Sequence, residues 1–389
     1  MIRPILFLIS FLLVLIGGFF IIQYAKGLRF DTKSISFKQT GILVATSNPD
    51  AAQVLINGDL RGATNSNINL TPGSYDVQIA KEGFHTWNKR LEIQAGVINK
   101  TDAILLTKAA SLSPLTFFGA TMPILSPDGT KLAWIITQNS EAPEKIGIWV
   151  IDLGSIPFGF SREARQVTDA IPGPDGRIYW SPDGRNIILE RINGKFLLDP
   201  NEMTTQGKLV NLTVKKLQDL QTEWEKQETK KKGAQLKNLP EAIADIIERK
   251  TSNFQFSADQ TKVLYTAKAD TEISSNLIPA LPGASTQKQE RLIKNGQTYI
   301  YDIKEDRNFI ISGSSEELIK WFPTSRHVVI GDKGQISVME YDGTNKWTIW
   351  SGPYESPSVF PTPQQDKLII LTNLGNSNGQ TNLYIVGLR

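Results

Sequence analysis

Trp180-Ser181-Pro182-Asp183-Gly184, followed by the apolar run Asn186-Ile-Ile-Leu-Glu190, is the stretch on which the fold turns. Proline fixes φ at the first corner, and Asp-Gly supplies a polar residue and a position that tolerates φ > 0. The tetrapeptide is therefore a tight hairpin turn between two strands. The same unit recurs. Ser126-Pro127-Asp128-Gly129 precedes Lys131-Leu-Ala-Trp-Ile-Ile136, and Phe256-Ser257-Ala258-Asp259 precedes Lys262-Val-Leu-Tyr265. Two weaker copies are Trp321-Phe322-Pro323 before His327-Val-Val-Ile330, and Phe360-Pro361 before Lys367-Leu-Ile-Ile-Leu371. Most units then have a third strand, at 147–151, 297–303, 335–341 and 383–386. Units of this size cannot bury both faces alone and must stack. The expectation is an all-β array over 111–389 with five visible units. A sixth is open to completion if 109–122 pairs with the C-terminal strand.

Two stretches interrupt the repeat. In 212–250, Val214, Leu217, Leu220 and Trp224 fall on one face of a helix, opposite Lys215, Lys216, Asp219 and Glu223. Lys230-Lys-Lys-Gly233 ends that helix. A second one starts with Pro240 at its first position and Glu241 at its positive end, and carries the stripe Ile243, Ile246, Ile247. Two readings stay open: helices packed on the rim of the array, or a docking element. Val214, Leu217, Leu220 and Trp224 are the candidate interaction residues. The second stretch, Leu277 to Gln289 (LIPALPGASTQKQ), is Pro-rich and reads as an exposed loop.

The N-terminus is of another kind. Ile5 to Ile22, ILFLISFLLVLIGGFFII, has no charge and one polar side chain, Ser10. At about 1.5 Å per residue it spans roughly 27 Å, close to the hydrocarbon thickness of a bilayer. Residues 1–30 are read as a transmembrane anchor. A cleaved signal peptide is the rival reading. The apolar run is long for one, Gln23 fits a cleavage site poorly, and Tyr24 with Lys26 and Arg29 looks interfacial. Arg3 flanks one side, while Lys26, Arg29, Lys33 and Lys38 flank the other, so the charges alone favour a cytoplasmic body.

The rest of the chain, roughly 360 residues, exceeds one usual domain. Net charge is +3 and spread out, which is no footprint for nucleic acid. The absence of cysteine excludes disulfides, thiolate metal sites and Cys nucleophiles. His85 and His327, the only histidines, read as surface or loop imidazoles, and no metal or cofactor is expected.

Residues 35–108 read as a small β-sandwich. Gly41 to Thr46 and Gln53 to Ile56 are strands, and Asn57-Gly58 is a strong hairpin signal. Thr71-Pro72-Gly73 is a turn, and Tyr75, Val77 and Ile79 alternate onto one face. Trp87, Leu91, Ile93 and Ile104 to Leu106 supply further strands. Asn48-Pro49-Asp50-Ala51-Ala52, Val54-x-Ile56-Asn57-Gly58, Gly62-x-Thr64, Leu70-Thr71-Pro72-Gly73-x-Tyr75-x-Val77 and Lys81-Glu82-Gly83-Phe84 together resemble the PEGA domain. Asn65 departs from it, since the family often has proline after the threonine. The repeated units resemble blades of TolB-like, WD40-like β-propellers. The order of parts, with the run Tyr299-Ile-Tyr-Asp-Ile-Lys-Glu-Asp-Arg-Asn308, resembles bacterial PEGA-domain membrane proteins.

The resemblance implies a cell-envelope protein with its N-terminus in the cytoplasm and its body outside, and it implies no settled activity. No nucleophile elbow, phosphate loop, His-Glu-x-x-His or EF-hand occurs. Glu316-Glu317 is a carboxylate pair, but a glycosidase needs two facing carboxylates. The leading expectation is a non-catalytic, membrane-anchored protein that binds a protein, peptide or glycan. The alternatives are a structural spacer and a glycan-acting propeller enzyme.

Overall fold

The computed structural model describes residues 2–25, 28–31, 36–137, 142–154, 163–314, 318–374 and 379–389. The chain divides into two compact units. Unit 1 is 1–108 together with 278–289, and unit 2 is 109–277 together with 290–389.

Helix α1 runs Ile2–Ala25. Its side chains are described only over 7–22 and at Tyr24, and there the apolar ones stand exposed or half-buried. Among the described residues no helix is long and apolar enough to cross a membrane. The structure thus shows an exposed apolar helix, and the expected transmembrane span is not supported by it. Lys26 and Lys33 lie outside the described residues.

The remainder of unit 1 is a sandwich. One sheet places Asp59–Ala63, Gln53–Ile56, Gly73–Ala80 and Trp87–Ile93 side by side, all antiparallel. Opposite it, Gly41–Ala45 pairs with Ser66–Leu70 and, in parallel, with Ile98–Lys100. Asn57 and Gly58 both take φ > 0 (53° and 87°), the pairing a type I′ hairpin needs. The alternation read from sequence holds. Val54, Ile56, Val77, Ile79 and Trp87 from one sheet bury against Leu43, Ala45 and Leu70 from the other, with Tyr75 packed partly against them.

Unit 2 has the propeller-like order of sheets. Blade one is Thr121–Leu125, Lys131–Ile136, Gly147–Asp152 and Arg165–Thr168. Blade two is Arg177–Trp180, Ile187–Arg191 and Gly194–Leu198, with a single bridge from Phe196 to Asn211 where a fourth strand would lie. Blade three is Thr251–Phe256, Lys262–Ala267, Thr298–Asp302 and Arg307–Ser312. Blade four is Leu318–Trp321, His327–Asp332, Gln335–Glu340 and Trp347–Ser351. Blade five is Val359–Pro361, Lys367–Thr372 and Asn382–Gly387, completed by Ser111–Pro114. The stretch 109–122 therefore does pair with the C-terminal strand, but it closes the fifth sheet rather than building a sixth.

Neighbouring blades share cores, because each central strand offers alternate residues to its two sides. Ala133, Ile135 and Ile148 of blade one meet Ile178, Trp180 and Leu189 of blade two. Leu132, Trp134 and Ile136 meet Ile369, Leu371 and Leu383 of blade five. Leu264 and Ile300 of blade three meet Trp321, Val328 and Met339 of blade four. The turns are as read. Ser126 and Ser181 donate their hydroxyls to Asp128 and Asp183 (2.5 and 2.6 Å), and Ser257 does so to Asp259 (2.7 Å). Burial opposes ionisation of these aspartates, but the hydrogen bonds from the serines and from the residues two places on hold all three below the usual carboxylate range.

Helix α2 runs Val214–Leu236, with Thr213 capping it by accepting from Lys216 N–H (3.3 Å). It continues through Gly233 instead of stopping there. Helix α3 runs Glu241–Lys250, and Pro240 is its N-cap rather than its first residue. Its stripe of Ile243, Ile246 and Ile247 packs with Leu239 onto Phe256, Val263, Tyr265 and Tyr299 of blade three.

Candidate functional site

The stripe on α2 is not a packed face. Val214 is 74% exposed; Leu217, Leu220 and Trp224 are half-buried; no residue of the helix is buried. The four residues do share one side of the helix, but the side chains that root the insertion belong to α3.

A second surface lies at the seam that closes blade five, and sequence reasoning missed it. Phe117 is 71% exposed, with Phe118 and Met122 also exposed beside it. Large exposed side chains on a loop usually move. Here the loop is held from beneath by Asn382, a buried residue of the C-terminal strand. Its Oδ1 accepts from Thr116 Oγ1 and from Gly119 N–H, both at 3.0 Å. Leu383 N–H donates to Thr116 Oγ1 (2.9 Å), Ala120 N–H to the Thr381 carbonyl (2.8 Å), and Gln380 Nε2 to the Phe118 carbonyl (3.1 Å). The Lys145 ammonium sits 5.9 Å from the Phe118 ring and 5.5 Å from the Trp149 ring. Trp149 is fixed in turn by its indole N–H on the Lys145 carbonyl (2.8 Å). The result is a small aromatic surface with one cation, presented by a loop of fixed shape. The one signal in the sequence is the Phe117-Phe118-Gly119 run inside a stretch with no strand periodicity.

The run Tyr299 to Asn308 builds a buried polar clamp in blade three. Asp306 accepts from Tyr301 Oη (2.9 Å), from Leu277 N–H (2.8 Å) and from Arg291 Nη1 (2.9 Å). Arg291 also donates to the Ser274 and Asp306 carbonyls. Asn308 accepts from Tyr265 Oη (2.9 Å) and donates to the Glu290 carbonyl (2.7 Å). Burial drives the Tyr265 and Tyr301 phenols up, and Asp306 adds to the second shift. Both ends of the segment 278–289 are thereby pinned, at Leu277 and at Glu290. That segment is a loop of exposed and half-buried residues, and it clusters with unit 1.

The remaining candidates serve structure. His327 is buried at the start of a strand, with Nδ1 3.3 Å from Thr324 Oγ1, so the surface reading is corrected for it. His85 is half-buried, and burial followed by the charge of Lys108 lowers its pKa. Glu316-Glu317 lies outside the described residues. An open groove beside α3 is lined by Glu241, Asp245, Glu248 and Glu272, which sit on its exposed margins. Among the described residues no cluster of His, Cys, Asp or Glu could hold a metal ion. Lys320 is a half-buried cation of blade four. Its ammonium donates to the Val359 carbonyl (2.8 Å) and stands 4.5 Å from the Phe360 ring, and burial lowers its pKa to about 8.

Residues 40–105 match the PEGA domain. The PEGA match takes in the whole sandwich and leaves unit 2 outside it. No curated protein matches the chain. Similar solved structures include TolB from Acinetobacter baumannii, at 12% identity and a TM-score of 0.23, over 80% of this chain and 60% of that one. They also include the β-propeller domain of the Trilobed protease from Pyrococcus furiosus, at 12% identity and a TM-score of 0.22, over 90% and 96%. The acylaminoacyl peptidase of Pyrococcus horikoshii is similar at 11% identity and a TM-score of 0.21, over 69% and 38%. The chain thus spans about 60% of the length of that TolB. Likenesses this remote carry no argument, and the propeller-like reading rests on the sheets described above.

Proposed function

We propose that this is a non-catalytic cell-envelope protein, anchored to a membrane by α1, that binds a protein, peptide or glycan partner through its body. The observation that carries the reading is the aromatic surface of Phe117, Phe118 and Trp149. An aromatic side chain buries a large area at low rotamer cost, and a loop already fixed in shape loses little further freedom on binding. The hydrogen bonds that hold 116–120 supply that fixity. The anchor is supported by the uncharged run Ile5 to Ile22. A body on the outer side of the membrane is supported by the resemblance to envelope proteins, against the weak excess of positive charge after the helix.

The test of binding is affinity capture from native envelopes with the full chain and with the double variant Phe117→Ala, Phe118→Ala. Both side chains stand in solvent, so the variant is expected to keep its melting temperature and lose its partner. Equal capture by both proteins contradicts the reading and leaves a spacer. The anchor is tested by carbonate extraction: release of the intact chain contradicts it. Protease added to spheroplasts should degrade the body, and protection places it on the other side.

A further inference from the structure

Trp87–Ile93 is the outer strand of the PEGA sheet. An outer strand presents unpaired carbonyls and amides, and folded proteins cover or blunt them. Here two outward carbonyls are met by side chains. The Arg90 carbonyl accepts from Gln287 Nε2 at 2.7 Å and from Thr286 Oγ1 at 3.1 Å. The Glu92 carbonyl accepts weakly from Asn99 Nδ2, at 3.5 Å. Both donors on Arg90 belong to the segment 278–289, which is half-buried at Gly283, Ala284, Ser285 and Gln287.

The segment is shaped for this seat. Gly283 takes φ +74° and lies so close to Val97 that an added Cβ would stand 3.2 Å from Val97 Cγ1 and 3.4 Å from Asn99 Nδ2. Any L side chain there meets both the backbone conformation and the wall. The fit also has a gap. Asn99 is 8% exposed, and its Oδ1 has no donor. A buried acceptor without a donor weakens the complex that buries it.

We propose that the edge of the PEGA sandwich where Arg90 of one sheet lies beside Val97 and Asn99 at the outer strand of the other is a peptide-binding seat, and that residues 278–289 are its resident ligand. The seat recognises a glycine in the left-handed region, followed three and four residues later by side-chain donors for one edge carbonyl. The unfilled acceptor on Asn99 makes the grip moderate. This assignment does not rest on the partner of the Phe117 surface.

The test uses the full chain in detergent and amide hydrogen exchange. In one variant, 278–289 is replaced by a Gly/Ser segment of equal length. Exchange across 87–93 is expected to rise about tenfold, while Lys131–Ile136 of blade one keeps its protection as the reference for an intact fold. A synthetic peptide of residues 277–289, added at about 1 mM to match the concentration a tether provides, should restore the protection. The same peptide carrying Gly283→Val should not. Should the replaced chain fail to fold, the single variant Gly283→Val in the full chain should expose the same amides. Unchanged exchange on loss of the segment, no restoration by the peptide, or equal restoration by the valine peptide overturns the proposal.

Discussion

The two insertions that interrupt the blade repeat exchange the roles their sequences suggest. The helical one, 212–250, has the apolar stripe of a packed element, yet α2 buries no side chain and meets the core only through half-buried Leu236, while α3 enters it. The Pro-rich one, 277–289, has the composition of a loose loop, yet both of its ends are fixed by a buried network around Asp306 and Asn308. Periodicity tells which residues share a face. It does not tell whether anything covers that face. A clamp made of Tyr301, Asp306, Asn308, Arg291 and Leu277 has no period at all, because its members come from two strands, a turn and the two ends of an insertion.

The difference can be broken at five places. The largest effect is expected at Asp306, 5% exposed and paired with Arg291 at 2.9 Å. Removing one partner of a buried pair leaves the other uncompensated, so Asp306→Ala should cost about 4 kcal/mol in urea unfolding. Next comes the root of the helical insertion. Ile247 is 1% exposed against blade three, and Ile247→Ala should cost about 3 kcal/mol. If that variant unfolds with the wild type, α3 is not part of the core. On α2, half-buried Trp224 should give about 1–2 kcal/mol in Trp224→Ala, less than a fully buried tryptophan. A loss above about 3 kcal/mol would make α2 a packed element after all.

Lys320 provides a reference outside both insertions. Its pKa is lowered to about 8 in the folded chain, against about 10.4 for an unperturbed lysine. Between these values the unfolded chain holds more protons, so this group's contribution to stability rises with pH over that window and falls away as pH drops through about 8. Lys320→Met should therefore raise stability at pH 7, by about 1 kcal/mol, and flatten the pH profile from 8 to 10. The smallest effect is expected at Val214, 74% exposed, where Val214→Ala should stay within about 0.5 kcal/mol in thermal unfolding.

What was legible in the sequence follows from what is local. The Ser-Pro-Asp-Gly turns, the Asn57-Gly58 hairpin and the alternation at Val77 and Ile79 all rest on contacts between near neighbours or on strand pairing. The count of five blades among the described residues needed the register of Ser111–Pro114 on Asn382–Gly387, which no local pattern gives. The Phe117 surface was hidden for a related reason. Its rigidity comes from Asn382, more than 260 residues away in sequence. The run Tyr299 to Asn308 stood out in the sequence, but its partners at Ser274, Leu277 and Arg291 lie across an insertion.

The central claim is that the chain works by presenting a preformed aromatic surface. The most direct measurement is site-specific photo-crosslinking in intact envelopes, with p-benzoylphenylalanine placed at Phe117 in the full chain. Ile192, 84% exposed on blade two, serves as the control position. The account predicts a discrete adduct of higher mass from position 117 and none from position 192. No adduct from a folded chain at position 117, or the same adducts from both positions, would contradict it.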